Sequence, residues 1–182
     1  MSKWSHPRSD RGVTLLEMLT VIALISLLMA MGVPSYRYVT NRNRISAEVN
    51  GLLGDLQYAR LEAIKEGQTV SVCVSSNSTS CLASSAWQNG WIVFSDVNGN
   101  GQLGAGDTVL KVQTPFGSTD TFAASNNIEW LTFNREGFAV GLPAAGALLT
   151  LHASPTNSSS TRCLSLTLVG MMTVLPYGGT CL

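Results

Sequence analysis

Residues 96 to 107 carry oxygen-bearing side chains at a spacing that could bind a calcium ion. Asp96, Asn98 and Asn100 occupy positions 1, 3 and 5 of the segment, a glycine follows at position 6, and Asp107 stands at position 12. Calcium loops of the EF-hand type place oxygen ligands at these positions and use the glycine for a sharp turn. The candidate metal ligands are Asp96, Asn98, Asn100, Gln102 and Asp107.

The same segment also fits a turn that binds no metal. Its twelfth residue is Asp rather than the longer Glu that usually binds calcium through both oxygens, its ninth is Gly104, and strands rather than helices are expected on either side. Asn-Gly steps supply the positive φ angles that many hairpin connections need. Two interpretations therefore stay open, a calcium loop and a glycine-rich hairpin without a cofactor.

Four cysteines could form disulfides. Cys73, Cys81, Cys163 and Cys181 all follow the long apolar segment near the N-terminus, and an even count in a small domain is typical of an oxidising compartment. Three pairings are possible, and sequence proximity favours Cys73 with Cys81 and Cys163 with Cys181, each adding about 2 to 4 kcal/mol of stability. A zinc site is disfavoured, because no C-x-x-C occurs and His152 is the only histidine after residue 12.

The sequence offers no catalytic centre. A hydrolase triad needs a base oriented by an acid, and His152 lies in an apolar, strand-like run where a buried histidine is the simpler interpretation. No G-x-S-x-G, phosphate loop or H-E-x-x-H motif is present. Trp87, Trp91 and Trp130 are expected in the core. We therefore predict a protein that is not an enzyme and has no catalytic residue, no cofactor-binding residue and no small-molecule substrate.

Charge and length favour one small head on a helical stalk. The 182 residues include 11 basic and 11 acidic side chains, so the net charge is zero and no electrostatic footprint for nucleic acid is evident. About 115 residues lie beyond the predicted long helix, which is enough for one domain with its own core.

A membrane-spanning helix is predicted over residues 13 to 33. This segment has 21 residues and one charged side chain, Glu17. At 1.5 Å per residue it is about 31 Å long, which matches a hydrocarbon core of roughly 30 Å. An acid at the middle of such a helix costs about 2.5 to 3.5 kcal/mol, so Glu17 should have a partner.

An amphipathic stem is predicted over residues 34 to 66. Pro34 should kink the helix, because proline lacks the N–H donor and clashes with the preceding turn. Apolar residues then recur every three or four positions, and Gly67 is the expected C-cap. The apolar face contains Ile45, Val49, Leu52, Leu53, Leu56, Ala59 and Ala63, and the wetter side contains Arg44, Glu48, Asp55 and Glu62.

Residues 67 to 182 are predicted to form a β-rich head. Short runs rich in Val, Leu, Ile and Trp are separated by Gly, Asn, Ser and Pro, which is typical of an antiparallel sheet or sandwich. The predicted strands are residues 69–74, 90–95, 108–113, 128–134, 147–152, 163–169 and 171–175. The fold class is therefore α+β, with the long N-terminal helix packed on the sheet or sandwich.

The residues before the apolar segment resemble a known leader. Arg11-Gly12-Val13-Thr14-Leu15-Leu16-Glu17 places a basic stretch and a small residue before the apolar run, whereas an ordinary secretory signal is cut after it. This arrangement is similar to the class III leader of type IV prepilins and type II secretion pseudopilins. Most relatives carry Phe where this chain has Val13. The resemblance implies that residues 1 to 12 form a leader, and that prepilin peptidase cuts between Gly12 and Val13 and methylates the Val13 amine.

The same resemblance implies assembly roles for two residues. Glu17 becomes the fifth residue of the mature chain and Pro34 the twenty-second, as in that family. Glu17 would pair with the free amine of Val13 on a neighbouring subunit. From the residues alone, a carboxylate that reaches the membrane interface or is protonated stays an alternative.

The end of the stem resembles one branch of this family. The run from Leu56 to Ile64 resembles the GspH/FimT branch of the family, which implies a minor pilin of the priming or tip complex in type IV pilus biogenesis. The alternative is the equivalent pseudopilin of a type II secretion system, and an unprocessed single-pass receptor is a third. DNA uptake is disfavoured, because Gly170-Met171-Met172-Thr173 lacks both arginines of the Gly-Arg-x-Arg motif found in DNA-binding relatives.

Partners and location follow from the resemblance and the cysteines. The expected partners are other minor and major pilins or pseudopilins, prepilin peptidase and inner-membrane lipid, with nucleic acid disfavoured. We expect a single-pass protein of the bacterial inner membrane with a cytoplasmic N-terminus and a periplasmic head, which is later incorporated into a pilus or pseudopilus.

Overall fold

The computed structural model describes residues 12 to 182, which divide into two compact units at Thr40 and Asn41. Most of the predicted leader, residues 1 to 11, therefore lies outside the described residues. One helix, α1, spans Leu15–Glu66 and belongs to both units. It continues through Pro34, so the proline does not end the helix, and a kink there stays a prediction.

The first unit, from residue 12 to 40, is an exposed apolar helix with a capped beginning. Thr14 precedes α1, and its hydroxyl oxygen accepts a hydrogen bond from the Glu17 N–H at 3.2 Å. This is the N-cap contact expected of a T-x-x-E sequence. Further along, the Ser26 hydroxyl donates to the Ile22 carbonyl at 2.8 Å, so this polar group finds its partner within the helix. By length and composition, α1 is able to cross a membrane.

In the second unit, the C-terminal part of α1 buries one face against the β-sheets. The buried apolar residues recur at spacings of three and four, as the amphipathic pattern predicts. They are Ile45, Val49, Leu52, Leu56, Ala59 and Ala63. The helix ends as predicted at Gly67, whose φ of +68° is the left-handed conformation of a C-cap and whose N–H donates to the Ala63 carbonyl at 3.0 Å.

Among residues 12 to 182, nine strands form two antiparallel sheets. The strands are β1 Val70–Val74, β2 Trp91–Ser95, β3 Thr108–Gln113, β4 Thr121–Ala124, β5 Trp130–Phe133, β6 Ala139–Val140, β7 Ala147–His152, β8 Arg162–Leu166 and β9 Met172–Pro176. The first sheet has the order β3-β2-β1-β5-β6 and the second β4-β7-β8-β9. The predicted α+β fold is confirmed, since one long helix packs on two antiparallel sheets.

One core joins the helix to both sheets. It contains the buried face of α1, Val72 and Leu131 from the first sheet, and Leu149 and Leu164 from the second. A smaller cluster of Cys73, Ile92 and Phe94 packs with Leu103 of the 96–107 loop. Strands β1 and β2 are therefore buried along their whole length, which explains why their sequences are almost continuously apolar.

Several sequence expectations were wrong. Strands β4 and β6 were not predicted, because they have only four and two residues and carry no strong apolar alternation. Asp55 was assigned to the wetter side of the stem, yet it is 3% exposed, because Trp91 and Lys111 supply donors for its carboxylate. Trp130 was assigned to the core, yet it is 38% exposed, because it is the first residue of β5 and lies outside the buried cluster.

Candidate functional site

The predicted processing point lies just before α1. Gly12, Val13 and Thr14 precede the first helical residue, and the Val13 side chain is 65% exposed. A cut between Gly12 and Val13 would leave a free amine two residues before the helix begins. The N-terminus of a helix carries unpaired N–H groups and a partial positive charge, so a new amine there adds a second positive group.

Glu17 lies in the first turn of α1 with its carboxylate unpaired. Its backbone N–H is bound by Thr14, but its side chain has no hydrogen bond or ion pair with any residue from 12 to 182. A carboxylate in the first turn interacts favourably with the helix dipole, by about 0.3 to 1 kcal/mol at an exposed site. That is less than the cost of about 2.5 to 3.5 kcal/mol for an acid at the middle of a membrane helix, so an intersubunit partner for Glu17 stays a prediction.

The apolar side chains around Glu17 are also uncovered. Every residue from 12 to 40 is exposed, including large side chains such as Leu15 and Leu16, which are 83% and 74% exposed. A contiguous apolar surface of this size requires lipid or protein as its environment. Pro34 lies within the same exposed part of the helix, where it removes the N–H donor that would bind the Ala30 carbonyl.

Two disulfides close the pairs that sequence proximity favours. Cys73 of β1 is joined to Cys81, and Cys163 of β8 is joined to Cys181. Cys73, Cys163 and Cys181 are fully buried. The first bridge closes the polar loop that follows β1, and the second ties the segment after β9 back to the second sheet.

The carboxylates of the 96–107 loop accept hydrogen bonds, most of them from backbone N–H groups. Asp96 is fully buried, and its Oδ2 accepts hydrogen bonds from the Ser71 hydroxyl at 2.6 Å and the Gly101 N–H at 2.8 Å. Its Oδ1 accepts from the Asn100 N–H at 3.1 Å. Asp107 accepts from the Val97 and Gly104 N–H groups at 3.0 and 2.8 Å.

The amide side chains of the loop are used in the same way. Asn98 Oδ1 accepts from the Asn100 N–H at 3.0 Å, and Asn100 Oδ1 accepts from the Gln102 N–H at 2.8 Å. Among residues 12 to 182, no group of three or more His, Cys, Asp or Glu side chains is arranged to hold a metal ion. Both interpretations of the loop, the calcium site and the turn without a cofactor, stay predictions, because each of these oxygens has a second lone pair that an ion could use.

Two of the polar contacts between the stem and the head involve buried acids, and the apolar periodicity of the stem predicted neither. The buried Asp55 carboxylate accepts from the Trp91 indole N–H at 2.8 Å and pairs with Lys111 Nζ at 2.5 Å. Nearer the start of the second unit, the Arg44 guanidinium donates two hydrogen bonds to Asp120, at 2.7 and 2.8 Å. The Asp120 side chain is fully buried, so both acids are held away from water.

A third acid lies beside this second contact. Glu48 Oε1 accepts from the Ser118 hydroxyl at 3.0 Å, whereas Oε2 is buried without a partner among the described residues. Burial raises the pKa of the Glu48 carboxyl, and the hydrogen bond from Ser118 offsets part of that increase. The nearby Asp120 charge also raises this pKa, and Arg44 lowers it.

The hairpin between β8 and β9 contains the stretch compared with DNA-binding relatives. Residues 170 to 173 carry no charged side chain. The cation that reaches the turn is Arg60 of α1, whose Nη1 donates to the Gly170 carbonyl at 2.9 Å. This guanidinium is used to hold the hairpin against the helix.

Comparisons with known proteins match most of the chain. A model of the prokaryotic N-terminal methylation motif matches residues 7 to 33, and a model described as type II transport protein GspH matches residues 48 to 170. A search of curated proteins found no significant match.

Two of the similar solved structures are a minor pilin and a minor pseudopilin. One is the type IV minor pilin FimU of Pseudomonas aeruginosa, with 23% identity, a TM-score of 0.58, and coverage of 76% of this chain and 93% of FimU. Another is the minor pseudopilin EpsH of the Vibrio cholerae type 2 secretion system, with 14% identity, a TM-score of 0.48, and coverage of 75% and 98%. At these identities the likeness to FimU shows a shared fold.

The match to the GspH model covers about two thirds of the 182 residues, and the methylation motif precedes it in the order of a pilin or pseudopilin precursor. The predicted resemblance is therefore confirmed, and the chain belongs to the GspH family, whose members are structural subunits of type IV pili or type II secretion systems.

Proposed function

We propose that this protein is a minor pilin that helps to start, or to form the tip of, a type IV pilus. The observation that carries the proposal is the exposed apolar segment from residue 13 to 33, which is helical from Leu15 and has one unpaired acid in its first turn. Such a helix is compatible with lipid before assembly and with the apolar centre of a filament afterwards.

Processing would convert the precursor into this form. Prepilin peptidase would cut between Gly12 and Val13 and methylate the new amine, which removes the basic leader and keeps the apolar helix. The mature chain would then have 8 basic and 10 acidic residues. Before assembly it would cross the bacterial inner membrane once, with the N-terminus in the cytoplasm and the disulfide-bonded head in the periplasm.

Assembly would provide the partner that Glu17 lacks. The Val13 amine of a neighbouring major or minor pilin would pair with the Glu17 carboxylate, and this pair would set the axial position of the subunit. The head would then meet neighbouring heads through its exposed loops. The function is structural, and we propose no catalytic activity, resident cofactor or role in DNA binding.

A second candidate is a minor pseudopilin of a type II secretion system. It is supported by the matched family model, which is described as a type II transport protein. Both candidates use the same helix and the same processing, so the fold favours neither.

Deletion of the gene in the source bacterium separates the two candidates. We expect surface pili to be lost and secretion of type II substrates to be unchanged, with pili restored by a plasmid copy of the gene. The opposite phenotype, normal pili with impaired secretion, would assign the protein to the secretion system.

N-terminal sequencing of the membrane-bound protein should begin at Val13, and a chain that begins at Met1 would contradict the proposed processing.

A further inference from the structure

A pocket in the head combines an exposed tryptophan with unpaired polar side chains. It has a volume of about 300 Å³ and is lined by residues 126 to 130 on one side and residues 141 to 143 on the other. Trp130 is 38% exposed, whereas Trp87 and Trp91 are at most 1% exposed. This volume is at the lower end of the range for ligand pockets, so it suits one small ring rather than an extended ligand.

The polar side chains of this pocket have no partners in the part of the chain that the structure describes. The amides of Asn126 and Asn127, the carboxylate of Glu129 and the indole N–H of Trp130 make no hydrogen bond or ion pair with any residue from 12 to 182. By contrast, the acids and amides of the 96–107 loop are bound by their own backbone. The pocket therefore offers a mixed set of donors and acceptors to an outside molecule.

The backbone holds the two asparagines in a strained conformation. Asn126 and Asn127 have φ values of +55° and +53°, which is uncommon for one residue other than glycine and more so for two in succession. The turn is fixed at both ends, since the Ile128 N–H donates to the Ser125 carbonyl at 3.3 Å and the buried Trp87 indole donates to the Ile128 carbonyl at 3.1 Å. Strain of this kind, maintained by the surrounding structure, is frequent at ligand sites.

The indole of Trp130 is also held in place. A Cβ atom added to Gly101 would overlap the five-membered ring of Trp130, so the ring lies directly against the backbone of the 96–107 loop. Gly101 is buried, and its N–H is bound by Asp96. Leu142 and Pro143 supply an apolar wall across the pocket. A ligand would therefore meet a preorganised aromatic surface, which reduces the ordering cost of binding.

We propose that this pocket binds one neutral or N-acetylated hexopyranose unit of a glycan. The C–H bonds on one side of a pyranose ring are weakly positive, and they pack on the negative face of an aromatic ring. Its hydroxyl groups both donate and accept hydrogen bonds, so they can pair with the Asn126 and Asn127 amides, the Glu129 carboxylate and the Trp130 N–H. The proposal gives the head a ligand in addition to its role in assembly.

The composition of the pocket argues against charged ligands. A lysine or arginine side chain could pair with Glu129 and lie over Trp130, but it carries only donors and would leave the indole N–H and the amide N–H groups unpaired. An acidic sugar would place its carboxylate close to that of Glu129. Neutral and N-acetylated sugars avoid both problems.

The test uses the full-length protein in amine-oxide micelles, because detergents with sugar head groups would compete for the site. A glycan array with neutral, N-acetylated and acidic members identifies the glycan that binds most strongly, and saturation-transfer difference NMR compares it with the corresponding free methyl glycoside. We expect binding to neutral or N-acetylated members and saturation transfer from the indole protons to the ring protons of the sugar. Comparable binding of the methyl glycoside locates recognition in a single ring, as the pocket volume requires.

Variants locate the site. Trp130→Ala should weaken binding about twofold to tenfold, since an aromatic contact contributes about 0.5 to 1.5 kcal/mol. Asn127→Gly removes the amide and keeps the positive φ, so it should fold normally and bind about threefold to tenfold more weakly. The matched control is Phe138→Ala, an aromatic side chain that is 48% exposed outside the pocket, which should bind like the wild type.

Several results would overturn the proposal. They are no binding of any neutral or N-acetylated glycan, a preference for acidic glycans, capture of a lysine-rich peptide in place of glycans, or unchanged binding by Trp130→Ala and Asn127→Gly. If Trp130→Ala fails to fold by near-UV circular dichroism, Asn127→Gly and the saturation-transfer pattern of the wild type decide the question.

Discussion

At the scale of single residues, the stem is fastened to the head by acids that are held away from water. Asp55 is the clearest case, because its carboxylate accepts from Trp91 on β2 and pairs with Lys111 on β3. The Lys111 side chain is half exposed and keeps part of its hydration, so the pair contributes less than a fully buried one would. The hydrogen bond to the buried indole is the part that water cannot replace.

Substitutions of Asp55 should therefore distinguish the contribution of the hydrogen bond to stability from that of the charge. Asp55→Asn keeps an oxygen for one donor and should lower the free energy of unfolding by about 1 kcal/mol, whereas Asp55→Ala leaves the buried Trp91 N–H unpaired and should lower it by about 2 to 3 kcal/mol. Urea unfolding measures both changes. The control is Glu66→Ala at the exposed end of α1, which should stay within about 0.5 kcal/mol of the wild type. An Asp55→Ala protein as stable as the control would show that this contact is unimportant.

Glu48 gives a prediction with a definite pH dependence. Because burial raises its pKa in the folded state, the folded protein holds the proton more tightly than the unfolded chain does. The contribution of Glu48 to stability is therefore fully present below its ordinary pKa of about 4.5 and is lost as the pH rises through the raised value. At neutral pH the charged side chain is unfavourable.

Glu48→Gln should remove this dependence. At pH 7 the variant should be more stable than the wild type, by less than about 1 kcal/mol because the side chain is partly hydrated. The difference should shrink as the pH falls towards 4.5. Melting temperatures measured between these pH values test the prediction, and Glu66→Gln at the exposed end of the helix serves as the control. A difference that grows at low pH would contradict the assigned sign.

At the scale of secondary-structure elements, the sequence predicted best where one residue pattern determines the element. The bounds of β3 and β7 agree with prediction, and the C-cap of α1 is at Gly67 as expected. Apolar periodicity and turn residues are local signals, and they define these elements well.

The errors arose where distant residues determine the outcome. The pattern of α1 places Asp55 on the solvent-facing side of the helix. In the folded head Trp91 and Lys111 contact it, and no periodicity in α1 predicts that contact. The pocket beside Trp130 was missed for the same reason, because β5 and the segment from Gly141 to Pro143 meet only in the folded head. The two consecutive asparagines at 126 and 127 were its one local sign, since Asn adopts positive φ more readily than most residues.

The 96–107 loop is an element whose acids stabilise its own backbone. Asp96 is fully buried and receives three hydrogen bonds, so Asp96→Ala should lower the free energy of unfolding by about 2 to 4 kcal/mol. Asp107→Ala should lower it by less, because Asp107 is only partly buried. Urea unfolding of the two alanine variants provides the comparison, and an equal loss for both would argue against the special role of Asp96.

The composition of the loop leads us to expect no calcium dependence, because its twelfth residue is Asp rather than Glu and only Asp96 and Asp107 carry full negative charges. The melting temperature should not change when about 5 mM CaCl₂ is added, although the weakest extracellular calcium sites have dissociation constants near 10⁻³ M. Magnesium at the same concentration controls for ionic strength. A rise with calcium alone, abolished in Asp107→Ala, would establish the loop as a metal site after all.

At the scale of the whole molecule, the two units differ in the surroundings that they require. The second unit is suited to water, and the apolar helix of the first unit is not. The second unit has a large buried apolar core and a smaller buried cluster, whereas every residue from 12 to 40 is exposed. The apolar helix must therefore always be covered by lipid, detergent or other subunits. On the proposed function, Glu17 pairs with the Val13 amine of a neighbouring subunit when the helix passes from the membrane into the filament.

Glu17→Leu tests that step. The variant should insert in the membrane and be cleaved after Gly12 like the wild type, because the leader is unchanged and the helix is more apolar. Its incorporation into pili should fall at least about tenfold, since an intersubunit ion pair of about 1.5 kcal/mol or more is lost. Immunoblots of sheared pili and of membranes measure the two pools, and Glu66→Leu is the control. Wild-type incorporation of Glu17→Leu would refute the intersubunit pair.

The order of the cysteines along the chain has a consequence for biosynthesis in the proposed topology. The head follows the membrane helix and would enter the periplasm in the order of its sequence. Cys73 and Cys81 would therefore reach the periplasm while Cys163 and Cys181 are still in the cytosol. The thiols of Cys73 and Cys81 would then be oxidised when each has only the other as a partner. Cys163 and Cys181 would enter the periplasm after this first disulfide has formed. Vectorial export would thus select one of the three possible pairings, and the protein should mature without the help of a disulfide isomerase.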